Sequence, residues 1–512
     1  MSPSIHNEDG PEKQRLVVVS NRLPIVITRG PDGAWLIKRG SGGLVTALAP
    51  VLRNRGGLWI GWTGKVGRAD FLEPSDQGMK QIGYTIKPVV LKEEDIKLYY
   101  YGFSNEIIWP LFHDLLSRCD FNPEFWWAYQ RVNAKFAKVI SRNARKDDYI
   151  WVHDYHLMLV AKELRNLGIT NRTGFFLHIP FPQLDIFLKL PWRFQILRGL
   201  LEFDLIGFQT MRDRCNFIQC LRALVRGVRV EGRGQVSKIV TPEKELRIGN
   251  FPISIDYEAF KTQAASKEVA DEAWYLHENL PNRQIILGID RLDYTKGIPL
   301  RLKAFGNALE RYPELRGNVT LVQVVVPSRA SIHDYVDIKR EIERLVGQIN
   351  GQFTQKGWVP IYYLHRSLNR RELLAYYRTA EIALITPLKD GMNLVSKEYC
   401  ACSLDENSVL ILSEFAGAAP QLYRNAILVN PYDMEGVADA IYQGFVMSKD
   451  ERRARMRKLR RRIQKYDIFW WVDSFLDAAI TKSLDSFPPL DYYMPHVEVD
   501  EVEVDEEFRK LA

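Results

Sequence analysis

Thr386-Pro-Leu-Lys-Asp-Gly-Met-Asn-Leu-Val-Ser-Lys-Glu398 is the stretch from which the fold of this chain can be read. The apolar run 382–385 directly before it predicts a buried strand. Pro387 and Gly391 then break the chain, because proline and glycine are the strongest local interrupters of regular structure. After them, residues recur at helical spacing, namely Leu394, Val395, Glu398, Tyr399 and Cys402. The stretch therefore predicts a strand, a tight loop and a helix in succession.

A helix that begins just beyond a strand can bind an anion, because its first backbone N–H groups are free and its dipole is positive there. Gly391 leaves room for the close approach of a phosphate or a sugar. Asp390 can accept hydrogen bonds from sugar hydroxyls. Glu398, about two helical turns further on, can hold a pair of vicinal hydroxyls such as those of a ribose. The same pattern also fits an ordinary turn in which Asp390 caps the helix.

The composition is that of a soluble globular protein with two domains. The chain has 512 residues, of which 46% are hydrophobic and 26% are charged, and its formal net charge is +7. Residues 452–465 are densely basic, but Met456, Leu459 and Ile463 recur among them, so we predict a solvated helix face and not a nucleic-acid patch. No apolar run reaches the length that spans a membrane.

The cysteines and the first residues bear on the location of the protein. Five cysteines without paired spacing predict reduced thiols in a cytoplasmic protein. Cys400 and Cys402 are too close together for a metal pair and no histidine cluster joins them, so we predict no metal site. Residues 1–14 are polar and charged, which is not typical of a secretory signal and predicts a disordered segment.

Strands alternate with helices through both halves of the chain. This alternation predicts an α/β protein with two Rossmann-like parallel-sheet domains that face a central cleft. We place the first domain at 15–250 and the second at 251–465, with 251–256 as the linker between them. The late helix 466–485 should cross back and pack on the first domain, and 487–512 form an acidic tail.

Two predicted loops carry cations directly after strands. Arg291 and Lys296 flank one loop, where they can clamp a diphosphate over the start of the following helix. Arg22 follows the apolar run 15–20, at the edge of an α/β sheet where ligands bind. Each of these cations also fits the alternative of a solvated loop residue.

Polar side chains also follow two successive strands of the first half. Asp154 and His156 come after one strand, and His178 lies at the end of the next. A lone histidine in such a place is more often a satisfied core group, but two of them favour a shared cleft. The aromatic stretch 99–110 offers ring faces that pack on sugars, although we expect most of its side chains in the core.

Ten motifs together resemble those of the trehalose-6-phosphate synthases, which are retaining glycosyltransferases of family 20 with the GT-B fold. The resemblance runs from about Arg15 to about Ala479. Ala330 is a departure, because many relatives have glycine at that position. The motifs are VVVSNRLP, GSGGL, WIGW, YGFSNEIIWP, WVHDYHL, FFLHIPFP, DLIGFQT, RLDYTKG, INGQF and PLKDGMNLVSKEY.

The resemblance implies roles for individual residues. The catalytic residues that it implies are Asp154, His178, Arg291, Lys296 and Asp390. Those implied to bind glucose 6-phosphate are Arg22, Trp62, Tyr100, Trp109, Asp154, Gln209 and Arg329. Those implied to bind the nucleotide-glucose are Gly42, Gly43, His178, Arg291, Lys296, Leu368, Leu373, Asp390, Gly391, Met392, Asn393, Leu394, Val395 and Glu398.

The reaction implied is transfer of glucose from a nucleotide-glucose, usually UDP-glucose, to glucose 6-phosphate with retention, without a metal or a cofactor. Two alternatives stay open: a glucosylglycerol-phosphate synthase that accepts glycerol 3-phosphate, and a non-catalytic regulatory subunit. The donor base is undecided between UDP, ADP and GDP. We further expect a homo-oligomer that binds neither nucleic acid nor membrane, with a trehalose-6-phosphate phosphatase as a partner.

Overall fold

The structure is a computed structural model that describes residues 15–29, 35–40, 43–55, 57–67, 84–232, 234–278, 283–328 and 333–481. The N-terminal segment, the acidic tail, Gly42, Arg329 and Ala330 lie outside these ranges. The described residues contain seventeen strands in three sheets, of nine, six and two strands.

The strands are numbered here in chain order. They are β1 Leu16–Arg22, β2 Ile25–Arg29, β3 Trp35–Arg39, β4 Gly57–Trp62, β5 Thr85–Val89, β6 Tyr149–His153, β7 Thr173–Phe176, β8 Leu205–Phe208, β9 Arg229–Glu231, β10 Val236–Val240, β11 Glu245–Asn250, β12 Gln284–Arg291, β13 Val319–Val326, β14 Ile361–Leu364, β15 Ile382–Ile385, β16 Val409–Ser413 and β17 Ile427–Val429.

The two large sheets confirm the predicted α/β class. The first has the strand order β5-β4-β1-β6-β7-β8-β11-β10-β9 and is parallel from β5 to β11. The second has the order β14-β13-β12-β15-β16-β17 and is parallel throughout. Val17, Val18 and Val19 of β1 are all fully buried, because helices cover both faces of a parallel sheet. This burial explains why the strands appear in the sequence as continuous apolar runs.

Helices connect the strands and cover the sheets. Their bounds, short 3-10 turns included, are Gly43–Arg55, Glu93–Asp95, Ile96–Ile108, Trp109–Phe112, Leu116–Arg118, Pro123–Asn143, Tyr155–Leu157, Val160–Asn166, Leu184–Phe187, Arg193–Leu201, Met211–Leu224, Tyr257–Ala264, Lys267–Glu278, Tyr294–Lys296, Ile298–Arg311, Pro313–Leu315, His333–Phe353, Arg370–Thr379, Leu394–Cys402, Ala419–Leu422, Met434–Val446, Lys449–Lys465 and Ile468–Ile480.

One of these helices is of an uncommon kind. Ile96–Ile108 is a π-helix of 13 residues, and it contains most of the aromatic stretch 99–110. Asn105 donates through its side chain to the carbonyl of Tyr100, 2.5 Å away, within the same helix. π-Helices are rare, and they are frequently found at functional sites. The sequence pattern did not predict this element.

The last described helix, Ile468–Ile480, packs on the first sheet. The rings of Trp471 and Phe475 lie 5.1 and 4.3 Å from that of Trp151 on β6. The chain passes between the sheets twice, and Ile468 of the second passage donates from its backbone to the carbonyl of Ile255 in the first, at 3.0 Å. The two passages therefore run side by side.

The prediction that the basic run 452–465 forms a solvated face is wrong at two positions. Arg452 and Arg460 of helix Lys449–Lys465 are only 4% and 8% exposed. Arg460 donates to the backbone carbonyls of three residues near the end of helix Leu394–Cys402, while Arg452 donates to four partners, including Gln284. Arginine can be buried where acceptors meet its guanidinium in this way.

Candidate active site

The predicted site residues lie where the carboxyl edges of the two large sheets face each other. Arg22, Asp154 and His178 end or follow β1, β6 and β7, while Arg291 and Asp390 end or follow β12 and β15. Open α/β sheets bind ligands at this edge. The two sheets therefore bring the residues of both predicted sets to one cleft.

Gly391 is the point where the second domain lies against the first. A Cβ atom at this position would be 2.4 Å from the carbonyl oxygen of His178 and 2.7 Å from Cα of Ile179. Lys389, two residues earlier, donates to the carboxylate of Asp114 in the first domain, at 2.5 Å. A larger residue than glycine would thus separate the donor loop from the first domain.

The loop between β15 and helix Leu394–Cys402 is organised by its own side chains. Asn393 is the N-cap residue with a φ of 60°, and its Oδ1 accepts from the Ser396 N–H at 3.1 Å. Asp390 is not the cap. Its Oδ1 accepts from the backbone N–H groups of Met392 and Asn393, at 3.1 and 3.2 Å.

Lys296 and Asp390 form a largely buried ion pair across this loop. Nζ of Lys296 lies 2.5 Å from Oδ2 of Asp390, and the side chains are 11% and 12% exposed. Burial alone would raise the pKa of Asp390, but the adjacent Lys296 ammonium and the Met392 N–H lower it below its ordinary value. Both carboxylate oxygens therefore have partners, so a sugar hydroxyl would have to use the remaining lone pairs of Asp390.

Four further predicted donor residues belong to the second domain. Arg291 ends β12 and is exposed. Glu398 is half-buried and accepts from the Tyr377 hydroxyl at 2.9 Å. Burial raises the pKa of Glu398 although the hydrogen bond from Tyr377 opposes this. Leu368 and Leu373 are partly buried against the core of the second domain.

Asp154 has a strained backbone at the end of β6. Its φ of 77° and ψ of 163° lie in a region that is almost confined to glycine. Its Oδ1 accepts from the backbone N–H of Tyr155 at 3.0 Å and from that of His178 at 3.4 Å. These two hydrogen bonds hold the carboxylate of Asp154 beside His178, where the resemblance places the reaction.

His178 is paired with a histidine that the sequence interpretation did not select. Its Nε2 lies 3.2 Å from Nδ1 of His153, the last residue of β6. Burial lowers the pKa of His178 to about 3, and burial followed by the charge of His178 lowers that of His153 well below its ordinary value. Both rings are therefore neutral near pH 7. Neighbouring strands create this pair, so spacing along the chain gave no sign of it.

His113 is a second histidine that the sequence interpretation missed. Its ring lies 4.3 Å from that of Trp109, and its Nδ1 donates to the Trp109 carbonyl at 2.7 Å. Burial lowers the pKa of His113 to about 4, with the Trp109 carbonyl acting in the opposite direction. The signal available in the sequence was its position just after the YGFSNEIIWP motif.

The buried histidines predict a loss of stability in acid. Their pKa values are depressed in the folded chain, so between pH 6.5 and about 4 the unfolded chain binds protons that the folded chain does not. The free energy of unfolding should fall by roughly 1.4 kcal/mol per pH unit for each such histidine. Urea unfolding at pH 7.5, 6 and 5 measures this slope.

A matched pair of variants assigns that slope. His113→Gln should make the dependence on pH less steep, whereas His277→Gln, at an exposed position, should leave it unchanged. If the His113→Gln protein shows the same slope as the wild type, His113 does not stay neutral in the folded chain.

The predicted acceptor residues form an aromatic wall in the first domain. The guanidinium of Arg22 lies 4.8 Å from the ring centre of Trp62 and 5.5 Å from that of Tyr100. Tyr100 in turn stacks on His156, with ring centres 5.9 Å apart. Trp62 and Trp109 are 2% and 7% exposed. Such contacts hold an arginine in place at low entropic cost, which suits phosphate binding.

Gln209 differs from the other predicted acceptor residues. It is 1% exposed, and its Oε1 accepts from the backbone N–H of Ile253 in the linker, at 2.8 Å. The side chain is thus engaged with the linker. Its role in acceptor binding stays a prediction, as do those of Gly42 and Arg329, which lie outside the described residues.

Two kinds of feature are absent from the described residues. No group of three or more His, Cys, Asp or Glu side chains among them could hold a metal ion. None of the helices in the described ranges is long and apolar enough to cross a membrane.

Comparison with known proteins places these features in a family. The profile of glycosyltransferase family 20 matches residues 14–480. The trehalose-6-phosphate synthase of Mycolicibacterium gilvum is 43% identical over 475 residues, which is 92% of this chain and 94% of that protein.

Solved structures are similar over the same region. An α,α-trehalose-phosphate synthase (UDP-forming) from Burkholderia xenovorans, in complex with glucose 6-phosphate, is 35% identical with a TM-score of 0.83 and covers 91% of this chain and 100% of its own. A structure from E. coli bound with UDP-2-fluoro glucose is 39% identical with a TM-score of 0.81 and covers 91% and 99%.

Proposed function

The chain belongs to glycosyltransferase family 20, and from this premise we propose that it transfers glucose from UDP-glucose to glucose 6-phosphate with retention of configuration. The products are α,α-trehalose 6-phosphate and UDP. The Burkholderia xenovorans relative is UDP-forming and binds glucose 6-phosphate, and the E. coli structure binds a UDP-glucose analogue. These relatives support the choice of both substrates.

The observation that carries the proposal is the meeting of the two predicted sets across one cleft. Lys296 and Asp390 on the second domain face His178 and Asp154 on the first, with Gly391 against the His178 carbonyl. Lys296, Asp390 and His178 suit the nucleotide-glucose donor. Asp154 suits the sugar acceptor. A group-transfer enzyme needs both substrates in contact, and this arrangement brings them together.

In the proposed reaction, the bond between the anomeric carbon and the diphosphate oxygen breaks as the acceptor hydroxyl attacks from the same face. The acceptor proton passes to the departing phosphate oxygen, so atoms and charges balance. Lys296 and Arg291 neutralise the charge that develops on the diphosphate. His178 remains neutral because burial lowers its pKa to about 3, and it therefore orients the sugar through hydrogen bonds and not through charge.

A substrate panel tests the function. UDP-, ADP- and GDP-glucose are each offered with glucose 6-phosphate or glycerol 3-phosphate, and nucleoside diphosphate release is measured. We expect the highest kcat/KM for UDP-glucose with glucose 6-phosphate. A preference for glycerol 3-phosphate would identify a glucosylglycerol-phosphate synthase instead, and no turnover with any pair would favour a regulatory subunit.

Exhaustive EDTA treatment should leave the activity largely intact. Two cations of the chain, Lys296 and Arg291, together with the start of helix Leu394–Cys402, are available to the diphosphate. Initial rates before and after treatment, with and without added Mg²⁺, measure this. Complete loss in EDTA that only a divalent ion restores would contradict the expectation.

Assembly and location are further parts of the proposal. We propose a cytoplasmic homo-oligomer, and a trehalose-6-phosphate phosphatase that consumes the product, because hydrolysis of the product's phosphate ester gives the free sugar. The five cysteines are all free, which supports a reducing compartment. Light scattering on the purified protein tests the oligomer, and a monomer would exclude it.

A further inference from the structure

Lys397 is a buried lysine that the proposed reaction does not use. It lies in helix Leu394–Cys402, the helix that starts at the donor loop, and it is 1% exposed. Its Nζ donates to the carbonyl of Ile253 at 2.6 Å and to Oε1 of Gln421 at 2.5 Å. Burying a lysine is costly unless its ammonium is hydrogen-bonded, so these two contacts explain why it can stay there.

Ile253 is held from both domains at once. Its carbonyl accepts from Lys397 of the second domain, and its N–H donates to Oε1 of Gln209, just after β8 of the first domain, at 2.8 Å. It belongs to residues 251–256, which have no regular structure and join β11 to helix Tyr257–Ala264. A single residue of the linker is therefore fixed to the donor helix through its carbonyl and to the first domain through its N–H.

The contacts around Ile253 leave few linker residues about which one domain can rotate against the other. Phe251 donates from its backbone to the Phe208 carbonyl at 2.7 Å, which fastens the start of the linker to β8. Ile255 accepts from Ile468 of the second passage at 3.0 Å. Rotation of one domain against the other is absorbed by a few residues between packed elements, and Ile253 lies between these two fixed points.

The helix that carries Lys397 also forms the donor site. Asp390, in the preceding loop, accepts from the backbone N–H and the side-chain amide of Asn393. Asn393, at the N-cap of the helix, accepts in turn from the Ser396 N–H. A helix of nine residues can transmit a displacement from one end to the other, because rigid secondary elements carry coupling between sites. A shift of the helix start on donor binding is therefore passed to Lys397 and on to the Ile253 carbonyl.

We propose that Lys397 is a positioning residue that couples the donor helix to the angle between the two domains through the Ile253 carbonyl. Lys397 does not contact the substrates, because its Nζ is engaged with the linker and with Gln421. The proposal rests on the proposed function, since it concerns how donor and acceptor binding assist each other. Lys397 is the link by which donor binding favours closure of the cleft on glucose 6-phosphate.

The test measures how much saturating glucose 6-phosphate tightens UDP binding, by calorimetry on wild type and variants. In Lys397→Met this tightening should fall at least about threefold, while the affinity for UDP alone stays within about twofold. Gln421→Leu removes the other partner of Lys397 and keeps the Ile253 contact, so it should show the tightening of the wild type. A lysine that only fills space would leave the tightening unchanged in Lys397→Met, and that result would overturn the proposal.

A measurement on the wild type keeps the proposal testable if Lys397→Met fails to fold. UDP should slow hydrogen exchange of the amides in 253–256 at least about threefold, although these residues lie outside the predicted donor set. The proposal would be overturned if UDP left the hydrogen exchange of these amides unchanged. It would also be overturned if the wild type were active but glucose 6-phosphate did not tighten its binding of UDP. Absence of any turnover in the wild type would instead overturn the proposed function.

Discussion

Replacement of Lys296 by alanine should lower kcat/KM by at least about a hundredfold, because losing a charged contact in a desolvated site costs roughly 2–5 kcal/mol. The ammonium lies 2.5 Å from Asp390, and the pair is largely buried. Without Lys296 the carboxylate of Asp390 would face the diphosphate unpaired and repel it. The loss should therefore appear in donor binding as well as in kcat.

A matched control separates this effect from a general loss of lysine charge. Lys303 is paired with Glu341 at 3.4 Å and is 40% exposed on helix Ile298–Arg311, which begins two residues after Lys296. Lys303→Ala should keep turnover close to that of the wild type. Initial rates over a range of UDP-glucose concentrations measure both variants. Near-normal turnover in Lys296→Ala would remove Lys296 from the site.

Replacement of Arg22 by alanine should weaken the use of glucose 6-phosphate by about two orders of magnitude, for a loss of ~3 kcal/mol. The guanidinium is held over Trp62 and Tyr100, and it is exposed at the carboxyl end of β1. Its planar fork suits the oxygens of a phosphate. Unphosphorylated glucose should be a poor acceptor for the wild type, and the mutation should barely change that residual activity.

The comparison of the two acceptors decides what Arg22 does. Arg193 also lies over an aromatic ring, 4.7 Å from that of Phe194, but it belongs to none of the site elements, so Arg193→Ala is the control. UDP affinity should be similar in all three proteins. Equal losses with glucose and with glucose 6-phosphate in Arg22→Ala would show that Arg22 does not bind the phosphate.

The alternation of strands and helices could be predicted because parallel strands are buried on both faces. Runs such as 17–19 and 382–385 are apolar for that reason, and their ends set the positions of Arg22 and Asp390. The loop after β15 was predicted from Pro387 and Gly391. The run 358–363 predicts a strand from Trp358, but β14 begins at Ile361, since Trp358 instead packs in the core and donates to the Val319 carbonyl.

Other features depend on contacts between distant parts of the chain. Lys296 and Asp390 are 94 residues apart, so local spacing could not pair them. The His153–His178 contact requires β6 and β7 to be neighbours. No pattern in the sequence indicated the π-helix. The burial of Lys397 could not be predicted either, because helical spacing shows which face of a helix is apolar but not which polar side chains are buried.

One reaction tests the central claim most directly. Purified protein is incubated with UDP-glucose and glucose 6-phosphate, and the product is examined by proton NMR while UDP release is measured. We predict one disaccharide phosphate whose two anomeric centres are both α, formed in equal amount to UDP. A β-configured product, or UDP release without a disaccharide, would contradict the assignment of a retaining glucosyl transfer to glucose 6-phosphate.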